Sequence, residues 1–213
     1  MTLEVRGLTV GPVQENCYLA RLPGSDRAVI VDPGEEADRL LGAIDEMGVT
    51  LEAILLTHTH FDHVGAVAPV ARATGAPVWC PEIEVPVLAD IMRFVPWEGF
   101  GPYESYEADH TVAGGETLEL AGITFEVVFT PGHSPGHLTY AVAEHDALFS
   151  GDVLFDSSVG RVDLPGGDWA TLQRSIAALL EAFPDDTTVY PGHMGLTTLG
   201  RERASNPFLR EIA

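Results

Sequence analysis

Four side chains that could bind metal ions lie within six consecutive residues, directly after an apolar run at residues 53–56. They are His58, His60, Asp62 and His63. Since alternate residues of a strand share a face, His58 and His60 can project together from a strand end or from the turn after it. Imidazole and carboxylate groups suit Zn, Fe or Mn. Four ligands exceed what one catalytic ion usually takes from so short a loop, which is compatible with two ions.

The same arrangement recurs three more times along the chain. An apolar strand ends in a small, turn-forming residue and a ligand-type side chain follows, at His133, Asp152 and His193. Glycine in front of the ligand lets the backbone bend tightly and approach an ion. If the strands are neighbours, their ends converge on one edge, where α/β proteins usually place their sites. The seven candidates together suit two ions, provided that one carboxylate bridges them.

A two-ion centre would have a definite chemistry. Two ions about 3.5–4 Å apart can hold a bridging water and lower its pKa to about 7, and the resulting hydroxide can attack a carbonyl or phosphoryl centre. One ion can polarise the substrate carbonyl while the other stabilises the leaving group. No serine or cysteine nucleophile is then needed. The alternative is a polar loop with chance histidines.

Hydrophobic periodicity predicts the elements that must carry these residues. We expect strands within residues 3–20 (broken at Gly11-Pro12), at 27–31, 53–56, 77–80, 117–120, 123–129, 138–142, 147–149 and 188–190. We expect helices at 37–47, 64–74 and 168–182, the last with Asp168 as its N-cap. No linker divides the chain, so residues 1–213 are predicted to form a single domain.

Residues 84–109 follow no regular pattern. Phe94, Trp97, Phe100, Tyr103 and Tyr106 are interspersed there with proline and glycine. This segment could be a lid over the site, a dimer contact, or an irregular loop packed by its own aromatic side chains, since long loops are often functional.

Charge and composition exclude several classes of protein. The formal net charge is −21, and all 11 basic residues are arginine, which disfavours nucleic acid and anionic membrane surfaces as partners. The two cysteines, Cys17 and Cys80, form no CxxC pattern, so a disulfide framework is not expected. The first residues lack a signal-peptide pattern and no apolar run approaches about 18 residues. We therefore expect a cytoplasmic protein, a monomer or a homodimer.

Five motifs give the sequence a clear resemblance to a known family. They are THTHFDHVG (57–65), TPGHSPGH (130–137), SGDVLF (150–155), GRVDLPGG (160–167) and YPGHMG (190–195). The chain resembles the metallo-β-lactamase superfamily, and within it the short bacterial form of the glyoxalase II-like (hydroxyacylglutathione hydrolase-like) branch. The resemblance implies an α/β fold of the αββα type, in which two mixed sheets pack face to face with helices outside and metals at one edge.

The resemblance also assigns roles to the candidate residues. It implies a cofactor of two divalent ions per chain, Zn or Fe/Mn, with Asp152 as the bridging ligand. The first ion would take His58, His60 and His133, and the second would take Asp62, His63 and His193. The resemblance also implies a second role for Asp62, as catalytic proton acceptor that hydrogen-bonds the bridging hydroxide.

Other positions depart from the glyoxalase II pattern. Arg161 matches a position where glyoxalase II enzymes use a basic residue for substrate contact, although it could instead hold the Asp152 loop. Asp163 and Gly195 stand where that family has tyrosines, and only about twenty residues follow His193. The helical domain that grips glutathione is therefore not expected. His137 is interpreted as a turn or supporting residue, and His110 and His145 as polar-loop residues outside the site.

Two functions from different classes follow. The first is a metal-dependent hydrolase of a small thioester such as S-lactoylglutathione. The second is a persulfide dioxygenase, which would use one Fe held by His58, His133 and Asp152. A lactonase and a non-enzymatic metal-binding protein are further alternatives.

Three other branches of the superfamily fit the sequence less well. True β-lactamases typically lack the bridging aspartate seen here as Asp152. Flavodiiron proteins usually have glutamate at the position of His60. Nucleases of this fold would need a basic surface, which a net charge of −21 does not provide.

Overall fold

Two six-stranded sheets form the centre of the computed structural model, which describes residues 3–95 and 97–210. The first sheet has the order β1-β2-β3-β4-β5-β6, with strands β1 (Glu4–Val10), β2 (Glu15–Arg21), β3 (Arg27–Val31), β4 (Thr50–Leu55), β5 (Val78–Pro81) and β6 (His110–Val112). The second has the order β14-β13-β10-β9-β8-β7, with strands β7 (Thr117–Leu120), β8 (Ile123–Phe129), β9 (Leu138–Val142), β10 (Ala147–Gly151), β13 (Thr188–Pro191) and β14 (Thr197–Thr198). A small hairpin joins β11 (Leu154–Phe155) to β12 (Ser158–Val159). Both large sheets mix parallel and antiparallel pairs.

Helices cover the outer faces of both sheets. They are α1 (Ala37–Met47), α2 (Phe61–Val64), α3 (Val67–Thr74), α4 (Val85–Leu88), α5 (Ile91–Phe94), α6 (Trp169–Ala182) and α7 (Leu199–Ser205). Short 3-10 helices lie at Glu82–Glu84, Ala143–His145 and Pro207–Leu209. In the described part of the chain no helix has both the length and the apolar character needed to cross a membrane.

Three hydrophobic layers hold the elements together. The odd and even residues of a strand face opposite sides, so β3 sends Ile30 towards α1 and Val29 towards the second sheet. Phe125 on β8 and Tyr140 on β9, both in the second sheet, also pack into the space between the two sheets. The third layer packs α6 against the outer face of the second sheet. The predicted αββα sandwich is thereby confirmed.

Most of the predicted elements are also confirmed. Helix α1 has the predicted bounds, because Leu40 and Ile44 bury one stripe and Gly48 ends the helix in the left-handed conformation. Asp168 is the N-cap of α6, since its carboxylate accepts a hydrogen bond from the backbone N–H of Thr171. Such a cap typically stabilises a helix by about 1 kcal/mol.

Two predictions about local structure are wrong. The helix expected at residues 64–74 is split into α2 and α3. A continuous helix would place Pro69 in its interior, where the missing N–H breaks a hydrogen bond, whereas a helix restarting at Val67 holds Pro69 in its first turn. His110 does not lie in a polar loop but begins β6, and its ring centroid is 4.2 Å from that of Trp79.

Candidate metal centre

All seven predicted ligand side chains converge at one end of the sandwich. The turn after β4 carries four of them, and the segments that follow β8, β10 and β13 carry the other three. Strand β4 belongs to the first sheet and the other three strands to the second. The side chains therefore meet from both sheets. Strands β10 and β13, which precede Asp152 and His193, are neighbours, whereas β4 lies in the other sheet.

Three histidines form the first group. Nε2 of His58 lies 3.2 Å from Nδ1 of His60, which lies 2.8 Å from Nε2 of His133. One nitrogen from each ring falls within 4.8 Å of the other two. This spacing is what three nitrogen ligands of a single ion have.

A second group lies beside the first. It consists of Asp62, His63 and His193, whose potential ligand atoms again fall within 4.8 Å of one another. Nε2 of His193 is 3.3 Å from Oδ2 of Asp62, and Nε2 of His63 is 3.9 Å from the same oxygen.

The carboxylate of Asp152 lies between the two groups. Its Oδ2 is 3.3 Å from Nε2 of His133, and its Oδ1 is 3.4 Å from Nε2 of His63. His193 approaches Oδ2 at 3.6 Å. Oδ2 thus lies near a histidine of each group and Oδ1 lies near His63 of the second group, so the carboxylate is within reach of both groups, as a bridging ligand must be.

Two buried polar atoms support cation binding here. Nε2 of His63 and Oδ1 of Asp152 form no hydrogen bond with residues 3–95 or 97–210. Burying a polar atom without a hydrogen-bond partner costs free energy, so these two atoms indicate a bound ligand that would satisfy them. The donor set of imidazole nitrogens and carboxylate oxygens fits Zn, Fe or Mn. The residues present therefore fit two divalent ions.

The imidazole tautomers favour the same assignment. Nδ1–H of His133 donates to the carbonyl oxygen of Arg161 at 2.8 Å, and that of His193 donates to the carbonyl oxygen of Gln14 at 3.2 Å. Nδ1–H of His63 donates to the Asp32 carboxylate at 3.0 Å. In each ring the Nε2 lone pair is then left to face the shared space, as is usual for histidine ligands.

Asp32 is a positioning residue that sequence reasoning missed. It follows β3 and is buried, with its carboxylate accepting hydrogen bonds from the backbone N–H and the hydroxyl of Thr57 at 2.7 and 2.6 Å. Its own position after a strand end repeats the pattern of the ligands, and that signal could have identified it. Asp32 also lies within 4.8 Å of ligand atoms of His58 and His63. Because its oxygens already accept these bonds, we interpret it as a support for the ligands.

Glu84 is a second buried carboxylate that the sequence did not reveal. One oxygen accepts from the hydroxyl of Thr59 at 2.7 Å, and the other accepts from the hydroxyl of Ser134 and the N–H of Gly136 at 2.6 and 2.9 Å. It therefore ties the loop of His60 to the loop of His133. No local pattern marks it, since its partners are 25 and 50 residues away.

His137 supports the bridging carboxylate, in agreement with its predicted supporting role. Its ring is buried, and Nε2 accepts a hydrogen bond from the backbone N–H of Asp152 at 3.0 Å. The backbone around Asp152 is also tightly packed, because a Cβ at Gly160 would lie 1.9 Å from the Asp152 carbonyl oxygen. Only glycine fits at that position.

Hydrogen bonds between the sheets fix the segment that carries His193. The hydroxyl of Tyr18 and the amide of Asn16 donate to the carbonyl oxygen of Pro191 at 2.8 and 3.1 Å. The backbone N–H of Asn16 donates to Gly192 at 2.7 Å. Strand β2 of the first sheet therefore holds a ligand that the second sheet delivers.

The electrostatics of the site favour the ligand form of His58, Asp62 and Asp152. Burial lowers the pKa of His58 well below its usual value, and the neighbouring His63 lowers it further, so that the ring stays neutral. Burial alone would raise the pKa of Asp152, but the charges of His63, His193 and His133 bring it well below its usual value. Burial likewise opposes ionisation of Asp62, yet the hydrogen bond from His193 lowers its pKa. Both carboxylates are therefore ionised at neutral pH. Burial alone would lower the pKa of His63 and His193, but the neighbouring Asp152 carboxylate raises it, so these two rings would release a proton when an ion binds.

Arg161 lies beside the site, and its side chain contacts Asp163 and Trp97. Its guanidinium forms a bidentate ion pair with Asp163 at 2.6 and 2.8 Å, and it lies 5.5 Å from the ring centroid of Trp97. Only its carbonyl oxygen supports a candidate ligand, His133. The side chain does not hold the Asp152 loop, and substrate contact stays a prediction.

A cavity of about 710 Å³ opens directly over the two groups. Five of the seven candidate ligands line its floor: His60, Asp62, His133, Asp152 and His193. Its walls include side chains from α4, α5 and the following segment. Of the aromatic residues in 84–109, Phe94 and Trp97 line the cavity. Phe100 and Tyr103 pack on Phe61, with ring centroids 4.9 Å and 5.7 Å from that of Phe61.

Comparison with known protein families gives one match that covers most of the chain. A family model described as the metallo-beta-lactamase superfamily matches residues 10–193. The probable metallo-hydrolase YqgX of Bacillus subtilis is 41% identical over 209 residues, 96% of each chain. The hydroxyacylglutathione hydrolase GloC of Haemophilus influenzae is 37% identical over 216 residues, 98% of each chain.

Solved structures show the same similarity. The structure described as the BLEG-1 B3 metallo-beta-lactamase has a TM-score of 0.92 at 40% identity and covers 97% of this chain and 100% of its own. TTHA1623 in a di-iron-bound form has a TM-score of 0.85 at 41% identity, covering 96% and 100%. ETHE1 from Myxococcus xanthus has a TM-score of 0.77 at 28% identity, covering 96% and 83%.

Proposed function

The chain belongs to the metallo-beta-lactamase superfamily, and we propose that it is a dinuclear metallohydrolase that cleaves small thioesters. The observation that carries this proposal is the position of Asp152 between two complete groups of three ligand-type side chains. The donor chemistry of those groups supports the proposal, as do the two buried polar atoms that form no hydrogen bond within the described part of the chain.

Each group has a defined part in the proposed reaction. His58, His60 and His133 would hold one ion, Asp62, His63 and His193 would hold the other, and Asp152 would bridge them. Two ions so held would supply a water that ionises near neutral pH and would polarise the acyl carbonyl. No cysteine or serine nucleophile is then needed for attack on the acyl carbon.

Asp62 is the candidate proton acceptor. Its carboxylate lines the cavity floor, and its lowered pKa keeps it ionised, so it can take a proton from the attacking water. Its Oδ2 lies 3.3 Å from Nε2 of His193, the other partly exposed side chain of the second group. The thiolate of a thioester is a good leaving group, so no separate general acid is required.

Similarity supports the choice of a thioester. The relative named hydroxyacylglutathione hydrolase GloC covers nearly all of the chain at 37% identity. S-lactoylglutathione is a test substrate because that relative is named a hydroxyacylglutathione hydrolase. A lactone and a β-lactam are included as well, because the same ionised water opens both rings and one structural relative is described as a B3 metallo-beta-lactamase.

A mononuclear-iron persulfide dioxygenase is the second candidate. Its three ligands would be His58, His133 and Asp152, which the structure places together, with His133 and Asp152 only 3.3 Å apart. The second group of ligand-type side chains would then have no ion to hold. For this reason we favour the hydrolase.

Metal content and substrate range together test the proposal. The purified protein would be analysed for metal and assayed on S-lactoylglutathione, other thioesters, a lactone and a β-lactam, with oxygen uptake measured on glutathione persulfide. We expect two ions per chain and the highest kcat/KM on a thioester. One Fe per chain with oxygen uptake would favour the dioxygenase, and no turnover of any ester, thioester or lactone would overturn the hydrolase.

A further inference from the structure

We propose that the cavity over the metal centre binds an extended apolar group, so that the preferred substrates are hydrophobic thioesters of a small uncharged thiol. This inference rests on the proposed thioester hydrolysis and names its substrate class. A volume of about 710 Å³ lies within the usual range of about 300–1,000 Å³ for pockets that enclose a small organic ligand.

Above its polar floor the cavity is walled mainly by hydrocarbon. Val87 comes from α4, Ile91 and Phe94 come from α5, and Trp97 follows α5. Phe155 and Leu164 also line the cavity. Burying apolar surface against such walls contributes binding energy roughly in proportion to the area removed from water.

The apolar surface continues to the mouth of the cavity. Ile83, Phe94, Trp97 and Met194 all line the cavity, yet 42–57% of each of these residues is exposed to solvent. Large exposed apolar side chains gathered at one opening indicate a binding surface, whereas isolated ones need no explanation. A ligand that reaches the rim would cover them.

Charge at the cavity disfavours a peptide thiol such as glutathione, which carries two carboxylates. Among the residues that the structure describes, Arg93 and Arg161 are the only arginines that line the cavity, and the three histidines of the lining are candidate metal ligands. Arg161 is already paired with Asp163, so binding a substrate carboxylate would mean displacing that partner. The net charge of −21 adds repulsion for anionic substrates.

The wall that carries Trp97 is held in place. The ring centroid of Trp97 lies 6.0 Å from that of Phe61, in an edge-on arrangement. Tyr103 stacks on the same Phe61 ring and donates its hydroxyl hydrogen bond to Glu35 at 2.5 Å. The apolar wall is therefore pre-organised, which lowers the entropic cost of ligand binding.

The experiment compares matched substrates. N-acetylcysteamine thioesters with acyl chains of four, six and eight carbons would be assayed, together with the octanoyl ester of glutathione. We expect kcat/KM to rise about threefold to fourfold for each methylene buried. The glutathione thioester should have a kcat/KM no higher than that of the N-acetylcysteamine thioester with the same acyl chain.

Trp97→Ala and Phe94→Ala should each reduce the chain-length dependence of kcat/KM at least threefold. Phe208→Ala, at an exposed residue outside the cavity lining, is the matched control.

Binding of compounds that cannot be hydrolysed tests the cavity assignment separately from the proposed thioester hydrolysis. Calorimetry would measure the Kd of unreactive S-ethyl, S-butyl and S-octyl thioethers of N-acetylcysteamine, and we expect the Kd to fall along the series. Tighter binding of the octyl compound with no hydrolysis of any thioester would overturn the proposed function and support the cavity assignment. Hydrolysis with a flat response to chain length in both kcat/KM and Kd, or a preference above tenfold for the glutathione ester, would overturn the cavity assignment.

Discussion

Nδ1 of His63 lies 3.0 Å from Oδ2 of Asp32, the same oxygen that accepts a hydrogen bond from the hydroxyl of Thr57. One buried carboxylate thus orients a candidate ligand and the residue that precedes His58. Hydrogen bonds to Asp32 therefore fix the orientation of the ligand loop independently of any ion.

This contact predicts that Asp32→Asn weakens metal binding. The amide cannot accept all three hydrogen bonds, so the His63 ring loses the partner that fixes its direction. Loss of such a supporting partner typically costs 10–100-fold in metal affinity, which competition with a chelator would measure. Asp38→Asn, at an exposed site on α1, is the control. Equal affinities in both variants would show that Asp32 does not position His63.

Replacing the bridging carboxylate should have a larger effect. In Asp152→Ala both oxygens that face the two groups are lost, so we expect metal content to fall to one ion per chain or fewer and hydrolysis to fall with it. Metal analysis of the purified variant, alongside an assay at saturating substrate, measures both. The matched control is Asp156→Asn, whose carboxylate pairs with Arg201. An active variant without metal would refute the hydrolytic mechanism.

Glu84 offers a test of stability. Glu84→Gln weakens hydrogen bonds to Thr59, Ser134 and Gly136 in a buried setting, and we expect a loss of about 2 kcal/mol in the free energy of unfolding. For a chain of this size that loss lowers Tm by about 4–8 °C. Thermal unfolding measures it, with the exposed neighbour Glu82→Gln as control. If Tm shifts equally in both, Glu84 does not tie the loops together.

The two thiols should be unreactive in the folded protein. Burial raises the pKa of Cys17 and of Cys80, so neither thiolate forms at pH 8. Unfolding returns both thiols to a pKa near 8.5, and the unfolded chain alone then releases protons as pH rises. Their contribution to stability is therefore present below about pH 8.5 and lost above it. Alkylation at pH 8 should modify neither thiol before denaturant is added and both afterwards, and rapid labelling of native protein would contradict this.

Much of this architecture could be predicted because its signals are local. Helix α1 has a clear apolar stripe and ends at Gly48, and His133, Asp152 and His193 each follow an apolar strand with a turn. These features depend only on neighbouring residues.

The remaining features depend on contacts between distant residues. Asp32-Pro33-Gly34 indicates a turn, and nothing nearby shows that the Asp32 carboxylate is buried under Thr57, 25 residues away. Glu84 lies in an irregular segment and meets Ser134 only after both sheets have assembled. The assignment of β4 and β10 to different sheets likewise follows from topology, which strand periodicity does not encode.

The two-sheet origin of the centre affects when the protein can acquire its ions. The turn after β4 carries four candidate ligands on the first sheet, whereas His133, Asp152 and His193 follow strands of the second sheet. Neither sheet alone offers the complete set of ligands. Uptake of both proposed ions therefore requires that the two sheets have already packed together.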